Sequence, residues 1–128
     1  MKAKAEDINR YTNLDYMRLR TKSDLKLMEE MIMVYLNQIP ALILIMNQSV
    51  ADKDYTLLQA TIHKMIPSFS IVGMGIGYEN MAKMLQDCAI NHDETGQIAV
   101  LAKKLADICS QACAELKDEL NNIIKQKR

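Results

Sequence analysis

Leu57-Leu58-Gln59-Ala60-Thr61-Ile62-His63-Lys64-Met65-Ile66-Pro67-Ser68-Phe69 is the stretch whose periodicity decides how this chain reads. Leu58, Ile62, Met65, Phe69 and Val72 recur at +4, +3, +4 and +3. That spacing keeps apolar residues on one face of an α-helix. At about 100° per residue, set by the 3.6-residue turn, His63 falls roughly 140° from the centre of the stripe. The pattern predicts a helix that buries its stripe and turns an imidazole toward solvent, open to a reactant arriving from outside.

The same helical period continues on both sides of this stretch. Upstream, Thr21, Ser23 or Asp24 can cap a helix carrying Leu25, Met28, Ile32, Tyr35 and Leu36. Pro40 removes a backbone donor and is expected to kink or split that helix, with a continuation from Ala41 to about Ala51 that turns Leu42, Ile45 and Met46 inward. Asp54 is placed to cap the His63 helix, which is expected to stop near the glycines of Gly73-Met74-Gly75-Ile76-Gly77. A further helix follows from about Tyr78 to Ile90, with Met81, Met84 and Leu85 inward. The turn Asn91 to Gly96 leads into a last helix from about Gln97 to Lys125. Its stripe is Ile98, Leu101, Leu105, Ile108, Cys109, Ala112, Leu116, Leu120 and Ile123. Residues 1–13 read as a polar N-terminal lead-in and 14–128 as the bundle, with Leu14, Met17 and Leu19 docking a short segment on its body. Short connections between amphipathic helices imply antiparallel neighbours. The expected fold class is therefore all-α, an antiparallel up-down four-helix bundle with a short N-terminal helical extension.

Composition narrows the function classes. The 128 residues suit one domain, and with ten Met, five Tyr, one Phe and no Trp the core must be aliphatic and methionine-rich. Lys plus Arg balances Asp plus Glu at sixteen each, so no basic footprint for nucleic acid is present. The apolar run Ile39 to Met46 is too short to span a bilayer and contains Pro40, so no membrane contact is expected. The charged start Met1-Lys2-Ala3-Lys4-Ala5-Glu6-Asp7 lacks the apolar segment of a secretory signal. The three cysteines show no metal-binding spacing; Cys109 and Cys113 read as small buried hydrophobes, and a reducing, cytoplasmic setting is expected.

Around His63 the helical wheel places Gln59, Thr56, Pro67 and Ser70 within about 40°, with Ala60 slightly further round. All are small or uncharged. Lys64 lies about 100° away and can reach over the rim. Pro67 has no amide to give the carbonyl of His63, so a loosened turn is expected there. No His, Cys or acid stands three or four residues from His63, which argues against a metal site, and no nucleophile sits in a strand-turn-helix setting. His92, before Asp93, reads as a turn residue.

Taken together, these residues resemble the histidine-containing phosphotransfer (HPt) domains of two-component signalling. The family's phosphorylated histidine opens a His-x-x-Lys-Gly motif, with a further glycine ten residues on. Here His63 stands at the histidine and Gly73 at that downstream glycine. Met33 to Leu42 is similar to the family's helix that runs through a proline, and Asp54 sits where an acidic residue often precedes the histidine helix. The likeness covers roughly residues 14 to 92. Two positions depart from it: Ile66 replaces the motif lysine and Pro67 the motif glycine, Pro67-Ser68 being similar to a variant of the motif.

The resemblance implies that His63 accepts and donates a phosphoryl group in exchange with a receiver-domain aspartate. Gln59, Lys64, Ile66, Pro67, Ser70 and Gly73 would support the site or dock the partner. That partner would be a response-regulator receiver domain, a hybrid sensor histidine kinase, or both. No cofactor and no metal are implied, and no turnover by the chain alone. No Walker-type phosphate loop is present, so ATP is not expected as a substrate. The alternative is a non-catalytic helical interaction module, a degenerate phosphotransfer domain that binds a receiver or kinase without transfer; Ile66 is the residue that favours it. A metal- or ligand-binding bundle would need inward Glu-x-x-His motifs, and none is found.

Overall fold

The computed structural model describes residues 10–127. Five helices follow in order: α1 Leu14–Thr21, α2 Leu25–Asp52, α3 Tyr55–Ile71, α4 Ile76–Ile90 and α5 Gln97–Gln126. No strand occurs among the described residues. α2 packs against α3 and α5, and α4 packs against the same two, which closes a ring of four helices around one core. The short α1 rests on α2. The fold is thus an all-α four-helix bundle with a short helical extension at its N-terminal side.

Local chemistry sets the helix ends. The carboxylate of Asp24 accepts from the amide of Leu27, and that of Asp54 from the amide of Leu57, both at 3.1 Å. Each satisfies an amide that the first turn leaves without a partner. Gly73, at φ 73°, follows the end of α3 where glycine was expected, but the C-terminal ends of α1, α2 and α4 carry none. Lys22 and Lys53 close α1 and α2 in the left-handed region, at φ 54° each, with their amides turned back onto the last-turn carbonyls. His92, at φ 50°, takes the same conformation just after α4.

The core is aliphatic and sulfur-rich. Leu58, Ile62, Met65, Phe69 and Val72, the whole predicted stripe of α3, have no exposed surface. Met28, Ile32, Tyr35, Ile39 and Met46 of α2 meet them, with Leu85 of α4 and Leu105 and Cys109 of α5. Burying a side chain of this size contributes about 1.5–3 kcal/mol, so this inward stripe fixes which way α3 faces.

Several expectations need correction. Pro40 does not split its helix; α2 runs unbroken for 28 residues, about 42 Å. Pro40 is exposed, so the ring and the missing bond lie on the solvent side and the buried stripe is undisturbed. Pro67 likewise lies within α3 and is exposed. Met84 faces solvent, because it stands about 100° from the buried Leu85. Ile45, beside the buried Met46, is 41% exposed, and Leu19 is 79% exposed, since α1 buries mainly Met17. α2 is long and apolar enough, by length and composition alone, to cross a membrane, and carries no ionisable side chain but Tyr35 between Glu30 and Asp52. One stripe of that helix forms bundle core.

Of the expected lead-in, residues 1–9 lie outside the described part. Residues 10–13 form a strap across the end of the bundle. The carboxylate of Glu115 on α5 accepts from the amides of Tyr11 (2.9 Å) and Thr12 (3.0 Å) and from the Thr12 hydroxyl (2.8 Å). Arg10 Nη1 donates to Glu119 at 2.8 Å. The Tyr11 ring meets Tyr78 of α4 edge-on, 5.4 Å between centroids, and the Asn13 amide donates to the Val72 carbonyl at 3.0 Å.

Candidate functional site

His63 is exposed near the middle of α3, as the apolar stripe on the opposite side requires. Pro67 and Ser70, from its face, are also exposed, and Gln59 is half-buried. The Ser70 hydroxyl leans back on the Pro67 carbonyl at 3.5 Å. Ile66 is half-buried at the edge of the stripe. Lys64 is exposed further round, and it is the only lysine, arginine or acid in α3. These six side chains share one helix. Gly73 does not join them: it lies beyond the end of α3 at φ +73°, pressed against Asn13 of the strap.

The neighbour on this side of α3 is α4. An open cavity of about 330 Å³ beside the α3–α4 turn is lined by Ser70 of α3 and Glu79 of α4, with Tyr16 of α1, Phe69, Met74 and Ile76, which sets Ser70 and Glu79 on the same side of the bundle. Ser70 and His63, seven residues apart, lie about 20° from each other on the wheel of α3. Glu79 and Lys83, four apart, share a face of α4, and Lys83 Nζ donates to Glu79 Oε2 at 3.2 Å. At its other end the same side of the bundle is closed by Tyr55 against His92, ring centroids 5.0 Å apart. The groove between α3 and α4 therefore carries His63 on one wall and Glu79, Lys83 and the half-buried Gln86 on the other.

Sequence reasoning centred on α3 missed these three. The Glu79–Lys83 spacing of four on a predicted helix signals an ion pair, but only the packing of α3 on α4 shows that the pair borders the histidine's groove.

The remaining candidates behave as packing groups. Cys109 has no exposed surface, and burial pushes its thiol up to about 12. Burial also raises Cys113 and Cys88, and the Cys88 thiol donates to Gln97 Oε1 at 3.4 Å. Buried thiols held in the protonated form are poor nucleophiles and poor metal ligands. No group of three or more His, Cys, Asp or Glu side chains fit to hold a metal occurs among the described residues. The Asp93 carboxyl is lowered from its ordinary pKa because the hydroxyl and amide of Thr95 both donate to it, at 2.6 and 2.8 Å. It shapes the turn that His92 begins.

What fold and site define together is a four-helix bundle with one solvent-facing histidine in the groove between two neighbouring helices. No protein-family model matches the chain, and neither a curated protein nor a solved structure does.

Proposed function

We propose that this protein is a cytoplasmic phosphorelay intermediate that carries a phosphoryl group on His63, exchanging it with the aspartate of a response-regulator receiver domain or of a hybrid sensor histidine kinase. The observation that carries this reading is the setting of His63: an exposed imidazole at the middle of a helix, with small or uncharged neighbours on its face. A neutral imidazole offers a nitrogen lone pair as nucleophile. Its lone pair would attack phosphorus in line while the P–O bond to the aspartate breaks and the electron pair stays on the carboxylate. The proton of the ring's other nitrogen then passes to solvent. The receiver supplies the chemistry that stabilises its own acyl phosphate, and this chain supplies position and access.

The surroundings suit a transient partner. Pro40, Ala41 and Leu44 of α2 are exposed on a helix face with no charged side chain between Glu30 and Asp52, and Leu44 is 71% exposed. Counted from the α2–α3 turn, Leu44 and His63 each stand eight residues in, at a height of about 12 Å. Exposed apolar surface of this kind is what a transient protein partner would cover.

One residue favours a second reading. Ile66 offers no positive charge where the resembling family has lysine, as in a non-catalytic module that binds a receiver or kinase without transfer. Incubation with a receiver domain phosphorylated on its aspartate separates the two. Relay requires label on the native chain and none on His63→Gln. The binding module predicts equal receiver affinity for both and label on neither.

A further inference from the structure

We propose that Lys83 of α4 is the cation that faces a phosphoryl group on His63, and that Glu79 holds its ammonium until that group forms. The inference rests on the relay reading; Lys83 would meet the transferred group itself, and Glu79 is its positioning residue.

The geometry comes from two independent counts. His63 precedes the end of α3 at Ile71 by eight residues, and Lys83 follows the start of α4 at Ile76 by seven, so across this antiparallel pair they stand within about 2 Å in height. Ser70, on the His63 face of α3, and Glu79, on the Lys83 face of α4, line one cavity beside the α3–α4 turn, so the two faces open on the same side of the bundle. A lysine side chain, long and flexible, can span the groove from that position. Lys83 is 55% exposed, so nothing packed around it prevents the swing.

Charge decides the direction of the exchange. A phosphoryl group carries about −1.5 to −2 near neutral pH, against −1 for the Glu79 carboxylate, and offers three acceptor oxygens. Other cations are few. Lys64 stands about 100° round α3 from His63. α2, the other helix packed on α3, has no lysine, arginine or acid between Glu30 and Asp52, and α4 adds only the acid Asp87 beyond the Glu79–Lys83 pair. A dianion on His63 would therefore draw Lys83 away from Glu79.

Phosphoramidate, a small phosphodonor, tests this without a receiver. The imidazole nitrogen bonds to phosphorus as the P–N bond of the reagent breaks, ammonia leaves, and the ring's other proton goes to solvent. In a His92→Asn background only His63 can take the group, and phosphorus NMR follows the titration of its phosphoryl oxygens. A facing cation favours the dianion and lowers the midpoint. Lys83→Gln is expected to raise it by about half a pH unit, a threefold change in proton affinity. Glu79→Gln, which frees Lys83, should lower it, and Lys83→Arg should leave it near native. An ion pair remote from the phosphoryl group would leave both midpoints at the native value. Equal midpoints for Lys83→Gln and native, shifts of one sign for Lys83→Gln and Glu79→Gln, or no phosphoryl group on His63 would each overturn the proposal. Failure of a phosphorylated receiver to label a chain whose midpoints shift as expected would overturn the relay reading alone.

Discussion

Gly73 and Asn13 touch through their backbones, and that contact ties the end of α3 to the N-terminal strap. A Cβ placed on Gly73 would stand 2.8 Å from both the carbonyl oxygen and the Cβ of Asn13, and Gly73 is held at φ +73°. The Asn13 amide donates to the carbonyl of Val72, the residue before it, at 3.0 Å. The glycine ten residues after His63 thus has a structural reason in this chain, independent of any phosphoryl group.

Gly73→Ala should therefore be destabilising, by about 2–4 kcal/mol. Left-handed backbone costs a non-glycine residue about 1–2 kcal/mol, and the methyl must also displace backbone of the strap, which no side-chain rotation relieves. Urea unfolding should show a lower midpoint at unchanged slope. A midpoint equal to native would show that the strap gives way freely.

Glu115 gathers the strap. Its carboxylate is the acceptor for two backbone amides and a hydroxyl, and Thr12 is 7% exposed. Glu115→Ala leaves those donors without a partner, at about 1–3 kcal/mol. Amide exchange at Tyr11 and Thr12 should then rise toward solvent rates while the core of α3 stays protected. Unchanged protection at both amides would contradict the role given to Glu115.

Pro40 and Pro67 each sit inside a helix and face solvent. Each deprives a carbonyl of its partner, that of Leu36 and that of His63. Pro40→Ala and Pro67→Ala should each raise stability by about 1–2 kcal/mol, because alanine restores the bond and exposed helix favours it. A rise in thermal midpoint for both variants is the expected result; a fall for either would mean that its helix is built around the proline.

Cys109 predicts alkaline sensitivity. Its folded-state pKa is pushed up from about 9 to about 12 by burial, so the folded chain keeps the proton that the unfolded chain loses. Stability is whole below about pH 9 and falls as pH rises toward 12. Cys113 and Tyr35 shift in the same direction, also through burial. The urea midpoint should decline over this range, and the decline should be shallower in Cys109→Ala. The native thiol should resist thiol reagents near neutral pH and react once the chain unfolds. An equal slope in the variant would remove Cys109 as a cause.

The helices and most of the core were legible in the sequence because their signals are local. All five stripe residues of α3 are fully buried, Asp54 caps the helix it was expected to cap, and Asp24, one of three candidates, caps α2. The continuity of α2 through Pro40 was not, because burial of Ile39 and Met46 on the far side outweighs one lost bond. The ends of α2 near Asp52 and of α4 at Ile90 were legible from the turn and capping residues that follow, but the left-handed backbone of Lys22, Lys53 and His92 was not, because lysine and histidine carry no signal for φ near 50°. The strap joins residues more than a hundred positions apart in sequence, Arg10 to Glu119 and Thr12 to Glu115. No periodicity records such a pairing. The exposure of His63 was readable from the wheel of α3 alone; its opposite wall, Glu79 and Lys83, depended on which neighbour α3 packs against.

The most direct measurement is transfer of phosphoryl label from a receiver domain phosphorylated on its aspartate, with the modified residue located by mass spectrometry. The relay account predicts acid-labile label on His63 of the native chain, none on His63→Gln, and return of that label to unphosphorylated receiver on mixing. Equal label on both proteins, label at another residue, or none on the native chain would contradict it.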